Sequence, residues 1–185
     1  METLEAIMGR RSVRRFEQKA VSREDLTEIV RAGTFAASGG NRQNWRFIAV
    51  GEAGKVAATT DTLGWLNGWY PPEGHNPVAH VVALTPAGAS RSVALDCAAA
   101  LQNMLLAAWD RGIGSCWFGS VKRERLAEEL GIPEDWEVLA VVALGYPAEG
   151  AEATESDETR VTKDSNGKVL VPKRPLESIL SFDGF

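Results

Sequence analysis

The stretch Val78-Ala79-His80-Val81-Val82-Ala83-Leu84-Thr85, with the long apolar run over residues 90–111 that follows it, decides the fold. Val81, Val82 and Leu84 stand in a nearly continuous apolar run, which predicts a strand buried on both faces. Residues 90–111 carry Ala94, Ala98, Ala99, Leu101, Leu105, Leu106 and Ala108 nearly all round a helical wheel. A helix of that kind is buried in the protein or at a large interface. Similar elements flank this pair. Residues 45–50 and 137–144 read as strands, the second rich in Val138, Leu139, Val141 and Val142. Ser22-Arg23-Glu24-Asp25 places an acid three residues after a serine, a helix-opening pattern, and Leu26, Ile29, Val30 and Phe35 fall on one face of that helix. Further helices are predicted over residues 3–9, 52–62 and 122–130, and a short strand or turn over 115–118. Intermixed strands and helices predict an α/β or α+β layered fold.

The chain has 185 residues, 44% hydrophobic and 24% charged. That is the size of one domain and the balance of a globular protein, not of a disordered, collagenous or coiled-coil chain. The formal net charge of −5 argues against a nucleic-acid partner, so an anion site must be a local basic cluster. Cys97 and Cys116 are too few for a disulfide framework and fit a reducing compartment. The acidic N-terminal residues lack the basic and apolar regions of a signal peptide. The most apolar stretch, 94–109, contains Asp96, Gln102 and Asn103 and is too short to cross a bilayer. The expectation is a soluble, cytoplasmic domain over residues 1–185, with no membrane partner.

Four guanidiniums and a hydroxyl crowd into Arg10-Arg11-Ser12-Val13-Arg14-Arg15-Phe16. Guanidinium forks match phosphate oxygens in a bidentate way, though a solvated basic turn reads the same from composition. Ser38-Gly39-Gly40-Asn41-Arg42-Gln43-Asn44 combines small residues, which allow a flat ligand to approach the backbone, with donors on Asn41, Arg42 and Gln43; an ordinary loop is the plainer reading. Lys173-Arg174 is either surface or the far half of an anion site. Gly112-Ile113-Gly114-Ser115-Cys116-Trp117 offers backbone N–H groups but is no dinucleotide fingerprint. His75 and His80 lack a metal-binding pattern, so no metal site is expected. Cys116 reads as a buried thiol rather than a nucleophile. Trp65, Trp69 and Tyr70 fall in a Gly- and Pro-rich stretch, residues 64–77, expected to be an ordered loop or lid.

In order along the chain, these segments resemble the nitroreductase family. Arg10 to Phe16 is similar to its Arg-Arg-Ser-x-Arg-x-Phe element, and Ala36 to Phe47 to its Ala-Pro-Ser-x-x-Asn-x-Gln-Pro-Trp-x-Phe element. Gly112 to Trp117, Leu130-Gly131-Ile132-Pro133, Leu144-Gly145-Tyr146-Pro147 and Lys173-Arg174-Pro175-Leu176-Glu177-Ser178-Ile179 match in turn. Ala37 and Asn44 stand where the family has prolines, and residues 65–76 match no family motif.

The resemblance implies an α+β sandwich around a mixed central sheet flanked by helices, in an intertwined homodimer with exchanged C-terminal arms. It implies a lid over residues 65–77, an acidic connector over 148–167 and an arm over 168–185. Arg10, Ser12, Arg14 and Arg174 would hold the phosphate of FMN, helped by Lys173, with Arg11 near the ribityl chain or ring. Ser38, Gly39, Asn41 and Gln43 would reach the ring from the partner, and Ser115, Cys116 and Trp117 would lie along it. Arg11 or Arg42 would face the N1–O2 edge, and no side chain is required as acid or base. The implied activity is hydride transfer from NAD(P)H through FMN to a nitroaromatic or quinone. A specialised flavin reaction (dehalogenation, dehydrogenation or flavin fragmentation) and a non-catalytic flavin-binding module are the alternatives.

Overall fold

The strand expected at residues 78–85 sits inside a four-stranded sheet. The computed structural model describes residues 2–185. Its main sheet holds β1 (Arg46–Val50), β2 (Ala79–Pro86), β3 (Gly114–Phe118) and β4 (Trp136–Gly145) in the order β1-β2-β4-β3. The pairings among these four are antiparallel, and a parallel bridge, Ser12 to Ser115, joins at the β3 edge. The helices are α1 (Thr3–Gly9), α2 (Arg23–Thr34), α3 (Ala53–Thr60), α4 (Arg91–Asp110) and α5 (Arg123–Leu130). The α+β class inferred from the sequence is the one observed.

Strand β2 explains its own composition. Successive side chains point to opposite faces, and both faces are covered. Val81 and Ala83 join Ile29 and Leu26 of α2 and Cys97, Leu101, Met104 and Leu105 of α4 in one core. Val82 and Leu84 join Val56 of α3, Leu126 of α5, Phe118 and Phe16 in the other. A fully buried side chain of this kind contributes about 1.5–3 kcal/mol, so polar alternation in β2 would destabilise one layer or the other. Among the described residues α4 alone is long and apolar enough to cross a membrane. Its buried face is the centre of the first core, while Leu95 on its outer face is 59% exposed.

Local signals explain the boundaries. Ser22 caps α2, its Oγ accepting from Asp25 N at 2.9 Å, a contact worth about 1 kcal/mol. Phe35, expected on the buried face of α2, is exposed, because the helix ends at Thr34 and Phe35 is its C-cap.

Residues 148–167, expected as a solvated connector, are more ordered than that. They contain β5 (Ala151–Glu155) and β6 (Thr162–Lys163), which flank β7 (Val169–Lys173) of the arm in a second sheet. β5 pairs parallel with β7, and β6 antiparallel. Ala151, Ala153 and Thr154 turn half-buried while Glu152 and Glu155 face solvent, and Glu152 pairs with Lys168. Glu152 and Glu155 of the strand are exposed, so only part of the acidic segment is a solvated connector. After β7 the arm makes a 3-10 turn, Leu176–Ser178, in place of a final helix.

Candidate functional site

The arginine segment is fixed by the two apolar residues within it. Val13 and Phe16 are 2% and 0% exposed. Val13 N donates to Ser115 O at 2.9 Å, and Glu17 N to Tyr146 O at 2.8 Å. The segment lies flush against the ends of β3 and β4 because glycines stand beneath it. A Cβ at Gly114 would lie 2.8 Å from Val13 Cγ2, and one at Gly145 would lie 2.9 Å from Phe16 Cδ1. This clamp explains Gly114 and Gly145 as packing requirements of the basic segment, whereas Gly112 has open space around it and a φ of 71° just after α4.

On either side of Val13 the segment presents cations to partly buried surroundings. Arg11 is buried; its Nη1 donates to Arg10 O, and its Nε has no hydrogen-bond partner. Ser115 is buried as well, and its Oγ has none. Burial holds Arg11 below its ordinary pKa, and burial followed by the charge of Arg11 does the same to Arg10. A buried cation without an anion is costly, so this pair of donors is set up to receive one. Burial pushes the Cys116 thiol up, while Arg14 and Arg10 pull it back and Glu149 adds to the rise. The net upward shift leaves a neutral thiol at neutral pH, a packing residue rather than a nucleophile. Glu149 ties down the far end of the segment: Arg14 N donates to its Oε1 at 2.9 Å, and Arg15 Nε lies 4.0 Å from its Oε2.

In front of Cys116, Trp117 and Phe118 opens a cavity of about 430 Å³, within the range of small-ligand sites. Arg14 lines one side, and Trp65 and Trp69 of the 65–77 loop line another. The loop is docked rather than free. Gly64 N donates to Ser120 O at 2.8 Å, and Leu63 bridges Val121. The Trp65 ring stands edge-on to Phe118 at 4.7 Å and to Trp69 at 5.3 Å. Such pairs add about 0.5–1.5 kcal/mol each beyond burial, so the aromatic residues of the loop build a wall.

The second predicted cluster is a separate loop. Ser38 precedes a 3-10 turn, Gly39–Asn41, in which Gly40, Asn41 and then Gln43 take φ of 59°, 54° and 49°. Asn41 and Gln43 are not glycine, and the left-handed region is strained for them. Local bonds hold it: Gln43 N donates to Ser38 Oγ at 3.2 Å, and Gln43 Nε2 to Asn41 Oδ1 at 3.1 Å. Gly39 N donates to Asp96 Oδ2 of α4 at 3.0 Å.

The structure thus brings Arg10, Arg11, Ser12, Arg14, Ser115, Cys116 and Trp117 together. Ser38, Gly39, Asn41, Arg42 and Gln43 form a second group, and among the described residues no hydrogen bond links it to the first within one chain. Lys173 and Arg174 are exposed at the end of β7, with no ion pair among the described residues. Sequence reasoning missed Glu149 and Asp96, which position these segments from 135 and 57 residues away. Neither sits in a motif that would single it out. It also missed Val161, Lys163 and Val169, which complete the cavity wall.

Comparison with known proteins adds an independent finding. The sequence model of the nitroreductase family matches residues 7–69 and 74–146. A protein of Archaeoglobus fulgidus, provisionally named an NADH dehydrogenase/NAD(P)H nitroreductase, is 37% identical over 164 residues, covering 85% of this chain and 92% of its own. A crystal structure of a nitroreductase with bound FMN from Bacteroides fragilis is 30% identical, with a TM-score of 0.66, covering 89% of this chain and 97% of that one. A nitroreductase family protein from Clostridium novyi is 27% identical, with a TM-score of 0.71, covering 80% and 87%.

Proposed function

The chain belongs to the nitroreductase family, and from that membership we propose that it is an FMN-dependent oxidoreductase using NAD(P)H to reduce a nitroaromatic, quinone or similar acceptor. The observation that carries the reading is two buried, partnerless donors, Arg11 Nε in the basic segment and Ser115 Oγ in the strand it packs on, in an acidic protein. A dianionic phosphate and a flat ring rich in acceptors fit that donor set. The FMN bound by the Bacteroides fragilis protein supports it.

When bound, FMN would supply the chemistry, accepting hydride from NAD(P)H at N5 and passing it to the acceptor. This chain's residues bind and orient. Arg10, Ser12 and Arg14 would hold the phosphate as charge-assisted donors, with Lys173 and Arg174 closing over it. Arg11 would face the ribityl chain or ring. The backbone of Ser115, Cys116 and Trp117 would run along the ring. Arg11, or Arg42 from a partner, would place positive charge at the N1–O2 edge, where the reduced flavin is anionic. The aromatic wall of Trp65 and Trp69 would keep water from the reacting face.

A second copy of the chain would complete the site. Ser38, Gly39, Asn41 and Gln43 are accessible and preformed on a loop that no hydrogen bond joins to the arginine segment. Exposed Leu4, Ile7, Met8, Leu95, Ile179 and Phe182 supply apolar surface for an intertwined dimer.

The test is a visible spectrum of the purified protein, then anaerobic NADH or NADPH. Flavin bands that bleach are the expected result. Bands that persist would turn the reading toward a flavin holder, and failure to take up FMN would overturn it. Arg10→Ala with Arg14→Ala removes two charge-assisted contacts and should weaken FMN binding roughly a hundredfold, read by flavin fluorescence on titration. Unchanged affinity would sink the phosphate assignment.

A further inference from the structure

The second sheet lies outside the residues 7–69 and 74–146 that the family model matches, and it lines one part of the cavity. Lys163 of β6 pairs in register with Val169 of β7. Val161 is two residues earlier, on the same side by strand alternation. All three line the same cavity as Trp65, Trp69 and Trp117. The second sheet therefore brings two valines and one lysine to a cavity that three indoles also line.

The charges of the cavity do not cancel. Arg14, Arg15 and Lys163 face one acid, Glu149. Glu149 is taken by Arg15 and by the backbone of Arg14, and the Arg14 guanidinium is assigned above to the cofactor phosphate. The exposed side chain of Lys163 has no hydrogen bond or ion pair among the described residues. Trp65, in the same lining, has a buried indole N–H without a partner. Aromatic faces, an unpaired cation and an orphan donor together describe a receptor for a planar, negatively charged molecule.

We infer that Lys163 is a specificity-determining residue, selecting planar aromatic electron acceptors that carry an anionic group such as a carboxylate. This rests on the flavin-dependent reading above and names its acceptor class. The indoles hold the ring of the acceptor, and the Lys163 ammonium meets its charge. The β5–β7 sheet is the element that brings that charge to the cavity.

The experiment compares 4-nitrobenzoate with its neutral methyl ester. Both quench tryptophan fluorescence, so dissociation constants are read at low ionic strength on the FMN-loaded full chain without turnover. Lys163→Met should weaken 4-nitrobenzoate about three- to fivefold, the scale of one exposed ion pair, and leave the ester unchanged. Lys163→Arg should restore the acid. Equal effects on both probes, or no effect on either, would overturn the inference and leave Lys163 as a charge that protects the β6 edge from pairing with another chain. A loss of FMN retention in Lys163→Met, or a rise in KM for NADPH with acceptor binding unchanged, would assign the charge to cofactor or reductant and overturn it equally. Failure of the wild-type chain to load FMN would strike the flavin reading alone; the same titration on the flavin-free chain still tests Lys163.

Discussion

His80 shows what burial does to one residue. It is the second residue of β2, fully buried, with Nε2 2.9 Å from Thr60 Oγ1. Thr60 Oγ1 donates its own proton to Val56 O at 2.8 Å. The hydroxyl oxygen must then accept, so His80 carries its proton on Nε2 and is neutral. Burial lowers its pKa from 6.5 to about 4, against a weaker opposing contribution from the Val56 carbonyl. The unfolded chain therefore binds a proton near pH 6.5 that the folded chain refuses until about pH 4. Stability from this residue is fully present above pH 6.5 and falls as pH drops through that window. The loss reaches about 3 kcal/mol by pH 4, at 1.36 kcal/mol per pKa unit. His80→Gln keeps a neutral N–H for Thr60 and should flatten this part of the profile. Urea unfolding of both proteins at pH 7 and pH 4.5 measures it, with the titration of carboxylates cancelling in the comparison. Parallel losses in the two proteins would show that His80 does not set the slope. Sequence alone could dismiss His80 as a metal ligand, since it stands in no metal-binding pattern. Its tautomer depends on Thr60 and Val56 of α3, which only the fold brings to β2.

Elements were legible where their signals are local. The Ser22 cap, the apolar run of β2 and the length of α4 are written in neighbouring residues, and each appears where expected. The arginine segment was legible as chemistry because its composition departs so far from a net charge of −5. The β5–β7 pairing was not legible. Ala151-Glu152-Ala153-Thr154-Glu155 has little β-propensity of its own, and its parallel partner stands across a loop of acidic and polar residues. The reason for the site glycines was equally hidden. Gly145 lies on β4, yet its constraint comes from Phe16, far away in sequence. An added Cβ would meet Phe16 Cβ at 3.0 Å and Cγ at 3.1 Å, and Phe16 is wholly buried and cannot swing away. Gly145→Ala should therefore lift the basic segment off the sheet at a cost of about 1–3 kcal/mol, the range for overpacking a core. Chemical unfolding reads the stability, and FMN affinity reads the displaced arginines. A variant as stable as wild type, with unchanged FMN affinity, would mean that the segment is held by its hydrogen bonds and not by this contact.

At the scale of the whole molecule, the distribution of exposed apolar side chains supports the proposal of a second copy. Leu176, Ile179, Leu180, Phe182 and Phe185 follow one another along the arm, from 44% exposed at Leu180 to fully exposed at Phe185. Leu4, Ile7 and Met8 form a second exposed stripe on α1, and Leu95 marks the outer face of α4. Scattered surface apolar residues need no explanation, but contiguous ones on a terminal arm do. In the proposed dimer an arm of this composition would dock on the apolar surface of the second copy, where each buried leucine or phenylalanine would contribute about 1.5–3 kcal/mol. The same exchange would bring Ser38, Gly39 and Asn41 of one copy toward the arginine segment of the other, so that assembly and cofactor binding become linked. Truncation before Lys173 removes those apolar residues and the basic pair Lys173-Arg174 together, and it should yield a monomer with weakened FMN affinity. Light scattering across a concentration series measures the first effect, and flavin titration the second. A truncated chain that stays dimeric would show that α1 and α4 suffice for association and that the arm is not exchanged. A monomer with full FMN affinity would break the link between assembly and site and confine the cofactor to residues 10–16 and 114–120 of a single chain.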